Sequence, residues 1–561
     1  MKINSYFLTS LFAVWLILLL LNNGSISLWD EDEAAYALFG QRMAETGDWV
    51  NPDFVWADIH RKTPFHFWTV ALSFLFLGVN EWALRLPSVL AIFATGLYLY
   101  RWTKRNFNPE TAFYSWLIFA TGLFANSLGK VALTDAGLLL VSMLAVGSLW
   151  DFLQTEKYKF AALFWASIAA GLLIKGPPIV ILTGGICVCC LLFFQNRKVL
   201  WCWYNFLFAG LSLLPFGAWA YASYGQDGGA FLRFLYDWYV LKRVGGSVLG
   251  QSGWVGYHLA VLSVSLLPFL PFIWGGLVNL KKTYFENKKI NLYFSFCLLF
   301  AWIFYELMSS KLPAYSIAAQ PILAILGGIY LQKLNQGDKL NPNKPLGLNW
   351  GAKLGFFVFF CLWVALIAAL FGADAIPFLL LKTVVLELKI VAGVLSCFLI
   401  AVAYYLYQKN ISKLTFAMAG LGLALQFLAW GWIIPALEQT PFKSLDKIGR
   451  EAVKIQQQIS QNANYQPFIY LIGISVKQTK PSLLFYLQQH FNLKNGLIFV
   501  ETRAEDWEKL AHASPAVAII GTEAHNYFKD RSQLYPDMQR FEWWSSDDEL
   551  RPHDFYLLYK K

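Results

Sequence analysis

Stretches of about twenty apolar residues, the length a helix needs to cross a bilayer, recur along most of this chain and decide its class. Windows near 6–22, 84–100, 112–129, 134–151, 160–175, 177–195, 203–221, 256–279, 291–308, 313–331, 352–372, 386–407 and 413–434 qualify, so about thirteen spans are expected. Composition agrees. Hydrophobic residues make up 57% and charged ones 14%, against about 25% charged in a soluble domain. Ordinary soluble, disordered and disulfide-scaffold classes are excluded. The seven cysteines lie in or beside apolar runs and read as small buried hydrophobes. Segment 65–79 is apolar but short, and is expected to lie as a helix in the interface. Lys2 precedes an apolar run to Leu21 with no Ala-x-Ala cleavage site, which reads as a retained first span.

The net charge of +10 does not call for nucleic acid, because cytoplasmic loops of membrane proteins carry surplus Lys and Arg. With the N-terminus inside, the basic loops around Arg101–Arg105, Lys157–Lys159, Arg197–Lys198, Lys281–Lys289, Lys333–Lys353 and Lys409–Lys413 all fall on the cytoplasmic side. Residues 1–435 thus form the membrane domain, with outer loops 22–83 and 222–255. Residues 436–561 are expected to form a small extracytoplasmic α/β domain with a parallel sheet. Its helices would lie at 445–460, 481–490 and 504–511 and its strands at 468–472, 497–501 and 516–520. It reads as a structural or acceptor-recognising module rather than a second enzyme, since it has no phosphate-binding glycine loop or triad motif.

Charges that break the orientation bias point to function. Asp30, Glu31, Asp32 and Glu33 crowd just outside the first span. Neighbouring carboxylates raise one another's pKa, which suits a general base, and acidic residues also favour the first turn of a helix. Arg61 and Lys62 form a cationic pair suited to a phosphate headgroup. Arg85 opens a span and is expected to hold the acidic loop by a salt bridge. Lys130, Asp135, Lys175, Lys242, Arg243 and Lys311 also sit on the outer side. Cations near a bilayer are costly, and several on one face imply a shared anionic ligand, a lipid phosphate. His258, beside Trp254 and Tyr257 at the outer end of a span, is a supporting candidate or an ordinary interface residue.

Together these pieces resemble the multi-span glycosyltransferases of the GT-C fold, most closely the lipid A aminoarabinose transferase branch, which is related to the protein O-mannosyltransferases. The resemblance rests on Asp32-Glu33-Ala34-Ala35-Tyr36, Thr46-Gly47-Asp48-Trp49, Lys62-Thr63-Pro64, Arg85-Leu86-Pro87-Ser88, Asp135, Lys175-Gly176-Pro177 and Lys311-Leu312-Pro313-Ala314-Tyr315. It covers residues 1–330; beyond them only the layout is similar. It implies an α-helical multi-span fold and transfer of a sugar from a polyprenyl phosphate to a lipid or protein acceptor on the periplasmic face of a bacterial inner membrane.

The resemblance makes Asp32 the catalytic carboxylate, with Glu33 its neighbour and Asp135 a second acidic position. It implies that Lys62 and Arg243 hold the carrier phosphate with Tyr315 nearby. Arg61 and Lys311 join that set, and Arg85, Lys130, Lys175 and His258 support it. Ala35 stands where the family usually has Arg, and Thr63 where it has the first Pro of Lys-Pro-Pro. Arg61 stands where the aminoarabinose branch often has Glu, a candidate metal ligand, so no metal is assigned, although a divalent ion stays open. These departures point to another donor or acceptor. A phosphate leaving group needs neutralising cations rather than an acid. A hydroxyl acceptor needs a base, and Asp32 is the candidate; a phosphate acceptor would need only orientation. Direct displacement implies inversion. The rival readings are a protein O-mannosyltransferase-like enzyme, a lipid flippase or transporter, which would show inverted repeats and broken helices, and a membrane scaffold.

Overall fold

The computed structural model describes residues 5–29, 32–53, 60–242, 252–283, 288–340, 347–371, 385–438, 444–463, 469–472, 481–488, 497–499, 516–521, 542–544 and 555–560. The first helices, in chain order, are α1 (Ser5–Leu20), α2 (Asp32–Thr46), α3 (Phe65–Leu77), α4 (Glu81–Asn106), α5 (Pro109–Thr121), α6 (Leu123–Ser127), α7 (Thr134–Thr155), α8 (Tyr158–Ile174), α9 (Pro177–Phe193) and α10 (Trp203–Asp227). Local chemistry sets their starts. Asn80 and Asn108 accept the amides of Ala83 and Thr111, each at 2.8 Å, and so cap α4 and α5; Pro109 takes the first position of α5.

The chain is a multi-pass membrane protein. Six described helices are long and apolar enough to cross a bilayer: α4, α7, α10, Trp350–Phe371, Val385–Tyr407 and Ile411–Ala436. Tyr257–Ser265 and Leu267–Leu280 form a further pair bent by 89°, and α1, α3, α8 and α9 are shorter apolar helices. Several apolar windows are therefore interrupted rather than continuous. Window 112–129 breaks at Gly122, and window 291–308 passes through a π-turn at Leu299–Ile303. Helix α3, with 13 residues, is about 20 Å long and cannot span about 30 Å of hydrocarbon. Its Phe67, Val70, Ala71 and Phe74 are buried while Leu72, Leu75, Phe76 and Leu77 are exposed. An exposed apolar face of this kind is what an interfacial helix presents to lipid.

A single apolar cluster runs through the membrane helices, from Trp15 and Leu19 to Met418 and Leu421. Close approach depends on small residues: a Cβ at Gly328 would meet Ser115 Oγ at 2.3 Å, so the helix Ala319–Leu340 lies directly on α5. A second cluster joins α2 and α3 to the C-terminal region, combining Leu28, Tyr36, Phe39 and Phe67 with Ile448, Ala452, Leu483 and Tyr486.

The C-terminal region contains a five-stranded sheet in the order β2-β1-β3-β5-β4, with strands β1 (Ile469–Ile472), β2 (Leu497–Phe499), β3 (Ala516–Gly521), β4 (Glu542–Trp544) and β5 (Phe555–Lys560). β1 pairs in parallel with β2 and β3, whereas β5 runs antiparallel to β3 and to β4. The sheet is mixed, not wholly parallel as the sequence suggested. The connection 545–554 is shorter than the dozen or more residues that a parallel crossover needs, so β4 and β5 must pair antiparallel. The expected helix 504–511 lies outside the described residues.

Candidate active site

One end of the helical region is organised around one buried guanidinium. Arg85 in the first turns of α4 is fully buried and grips Glu33 with two bonds, Nε to Oε1 at 2.8 Å and Nη2 to Oε2 at 2.9 Å. Its remaining N–H groups donate to the carbonyls of Asn23, Ile26 and Ser27 at 2.7–3.0 Å. Glu33 also accepts the amides of Trp29 and Ala132, at 2.9 and 2.8 Å. The expected salt bridge between Arg85 and the acidic loop is thus present. Glu33, grouped with the catalytic carboxylates on sequence, has both oxygens engaged and is 1% exposed; it holds the loop and also belongs to the lining of the cavity described below.

Asp32 opens α2, where its charge faces the positive end of the helix dipole. Its Oδ1 lies 2.7 Å from His60 Nδ1 and its Oδ2 3.2 Å from Lys62 Nζ. Burial pushes the carboxyl up, but Lys62 and His60 outweigh it and hold Asp32 well below the usual carboxylate range. This corrects the sequence reading, in which carboxylate crowding raises the pKa. Glu33 is neutralised by Arg85, so cations dominate the field at Asp32. Because an ionised Asp32 only accepts, His60 Nδ1 must carry a proton, which leaves Nε2 as the ring's one position for an acceptor lone pair. Lys62 Nζ also sits 4.6 Å from the centre of the Tyr36 ring.

A second ion pair stands nearby. Asp135, in the first turn of α7, meets Lys175 Nζ at 2.6 Å. Lys175 ends α8, and Gly176 makes the following turn with φ +72°, a left-handed value suited to glycine, before Pro177 starts α9. Asp32, His60, Lys62, Asp135 and Lys175 line one cavity of about 580 Å³. The rest of its wall is mainly apolar, including Leu138, Pro178, Ile181, Phe300, Phe304 and Ala318. Tyr315 is also in the wall, 5.4 Å ring to ring from Tyr305.

Other expected ligands are engaged elsewhere. Arg61 turns away from its neighbour Lys62 and binds Asp53 at 2.5 Å, outside the cavity lining. Lys311 donates to the Glu306 carbonyl at 2.7 Å and is likewise absent from the lining. His258 is fully buried behind the wall, with Nε2 3.2 Å from the Leu312 carbonyl and its ring 6.5 Å from Tyr315. Arg243 lies outside the described residues; its neighbour Lys242 stacks 4.5 Å over Trp238, a lining side chain. The sequence reading passed over His60, which only the fold brings to Asp32, and Tyr305.

Lys130 donates to the carbonyls of Leu18 and Leu21 at 2.7 and 2.6 Å and so ties down the end of α1. Burial, with Arg85 nearby, pulls its ammonium down to about 7. The unfolded chain therefore holds more protons than the folded one from about pH 7 up to the ordinary lysine value, and folding stability rises with pH across that window. The melting temperature in detergent should climb between pH 7 and pH 9, and less so in Lys130→Met. An equal climb in both proteins would contradict this assignment.

A divalent ion does not fit the described residues, among which no group of three His, Cys, Asp or Glu side chains gathers. Beside Asp32 and His60 the third neighbour is the Lys62 ammonium, and Arg61 is paired with Asp53.

Comparison with known proteins bears on the fold. Residues 61–221 match the dolichyl-phosphate-mannose-protein mannosyltransferase family profile. An undecaprenyl phosphate-alpha-4-amino-4-deoxy-L-arabinose arabinosyl transferase of Pseudomonas aeruginosa is 26% identical over 359 residues, 61% of this chain and 62% of the relative. The chain thus matches less than two thirds of that protein. An uncharacterized protein of Aquifex aeolicus is 28% identical over 58% of this chain and 73% of its own. The crystal structure of ArnT from Cupriavidus metallidurans bound to undecaprenyl phosphate superposes with a TM-score of 0.73 at 17% identity, covering 99% of this chain and 98% of that one. The fold is shared along the whole length, and it is the GT-C fold.

Proposed function

We propose that this GT-C-fold membrane protein is a glycosyltransferase that moves a sugar from a polyprenyl phosphate to a lipid acceptor of the cell envelope. The observation that carries the reading is the two-sided cavity, with the Asp32–Lys62 and Asp135–Lys175 pairs among its lining and a largely apolar wall. A phosphate needs the cations, and a polyprenyl tail needs the apolar wall. The names of the arabinosyl transferases and the ligand of the ArnT structure support the same donor class.

In this mechanism an acceptor oxygen attacks the anomeric carbon on the face opposite the phosphate. The carbon–oxygen bond to the carrier breaks, the electron pair leaves on the phosphate, and the sugar is inverted. Lys62 and Lys175 neutralise the charge that develops on the leaving group. Asp32 is too acidic to be a strong base. It holds Lys62 and fixes the His60 tautomer, so His60 Nε2 takes the proton when the acceptor is a hydroxyl. A phosphate acceptor needs no base, and the same pair then only orients it. The basic loops support a cytoplasmic N-terminus and a periplasmic C-terminal domain.

The test is transfer of labelled sugar from polyprenyl-phosphate donors to envelope lipids by the purified protein in vesicles. Lys62→Ala should weaken undecaprenyl-phosphate binding about 10- to 100-fold, the range of one bond to a charged group; unchanged affinity would remove Lys62 from the phosphate site. One observation favours a second reading: the pair Tyr257–Ser265 and Leu267–Leu280, bent by 89°, is the kind of broken helix a lipid transporter uses. Donor crossing the vesicle membrane with no sugar transferred would establish that reading instead.

A further inference from the structure

The C-terminal region reaches the catalytic loop through two side chains that the transfer mechanism leaves unused. Tyr486, on the helix Pro481–Gln488, is fully buried, and its hydroxyl oxygen accepts the Leu28 amide at 2.9 Å. Leu28 is also buried, and it lies four residues before Asp32. Arg450, on the helix Ser444–Ala463, places its guanidinium 4.2 Å from the Tyr486 ring centre and bonds Glu81 Oε1 at 2.5 Å. Glu81 is the first residue of α4, one turn ahead of Arg85. The two side chains therefore hold both strands of the Arg85–Glu33 junction, the approach to α2 and the start of α4. Leu28, Ala34, Tyr36, Ile448, Ala452 and Leu483 form one shared apolar cluster around them.

We infer that these two C-terminal helices are a clamp that sets the position of Asp32, with Tyr486 and Arg450 as its positioning residues. This rests on the transferase reading only where activity is measured. A buried amide that loses its acceptor is costly, so the segment before Asp32 must loosen when the Tyr486 oxygen is removed. Lys62 keeps its charge and its place over the Tyr36 ring, and Lys175 and the apolar wall are untouched, so carrier affinity changes far less than the rate.

Tyr486→Phe is the informative variant, because it keeps the ring under Arg450 and the apolar cluster and removes only the hydroxyl, which accepts the Leu28 amide and also meets the Arg450 guanidinium. Hydrogen exchange of the intact protein in detergent micelles should speed up about tenfold in residues 28–33, the scale of one lost hydrogen bond, with the membrane helices unchanged. The transfer kcat should fall about tenfold while affinity for undecaprenyl phosphate stays within about twofold. Arg450→Gln, a change at a half-exposed side chain, should loosen residues 81–85 and lower kcat in the same direction. Unaltered exchange at 28–33 and 81–85 in both variants overturns the clamp, as does a lower melting temperature with unchanged kcat. If the wild-type protein transfers no sugar, the transferase reading fails, while the exchange result still decides the clamp.

Discussion

Asp32→Asn should lower the transfer rate about 100-fold or more, within the 10²–10⁴ range of acid–base groups, while carrier affinity falls far less. Asp32 makes two contacts at once, to His60 Nδ1 at 2.7 Å and Lys62 Nζ at 3.2 Å. An amide can serve only one of them. If its oxygen faces Lys62, its NH2 faces the Nδ1–H of His60, which must switch tautomer and lose Nε2 as an acceptor. If its oxygen faces His60, two donors meet at Lys62. Either arrangement also removes the charge that fixes Lys62 against the cavity wall. Asp32→Glu keeps the charge and should recover part of the rate. The measurement is kcat and the undecaprenyl-phosphate dissociation constant for the three proteins side by side. Full turnover by Asp32→Asn would leave Asp32 without a role in the reaction.

The sequence located this region because charge next to long apolar runs is conspicuous. Asp32, Lys62, Asp135 and Lys175 each stand at or near a helix boundary, and these four meet around one cavity. It could not separate Lys62 from Arg61, because consecutive residues of a loop point in different directions and only packing decides which faces the hollow. Lys130 and Lys311 were equally opaque: each donates to backbone carbonyls, which leave no mark in a sequence. The Glu33–Arg85 bond spans 52 positions, and its expectation came from charge alone; that it would exhaust Glu33 depended on the Trp29 and Ala132 amides. In the C-terminal region the apolar runs at 468–472, 497–501 and 516–520 announced β1, β2 and β3. β4, with three residues, is too short to show an alternation, so the antiparallel edge went unread.

The largest loss of stability should follow from Arg85→Leu. The substitution leaves the Glu33 carboxylate buried without its cation, a change of about 3–5 kcal/mol for a broken buried pair, and it strips the donors from the Asn23, Ile26 and Ser27 carbonyls. Arg85→Lys should rescue only part of this. One ammonium has three donors and cannot match the planar fork that now serves five acceptor atoms. Arg85→Leu combined with Glu33→Leu should be more stable than Arg85→Leu alone, because no charge is then left buried alone, yet the Asn23 and Ile26 carbonyls and the Ala132 amide lose the bonds that Arg85 and Glu33 gave them and stability stays below wild type. Monodisperse yield after detergent extraction and the melting temperature read all four proteins. The expected order is wild type, then the double variant or Arg85→Lys, then Arg85→Leu, with little or no folded protein for the last. A wild-type melting temperature in Arg85→Leu would mean that the acidic loop is held by its apolar contacts with the C-terminal helices instead. The clamp at Tyr486 and Arg450 would then become the principal support of Asp32.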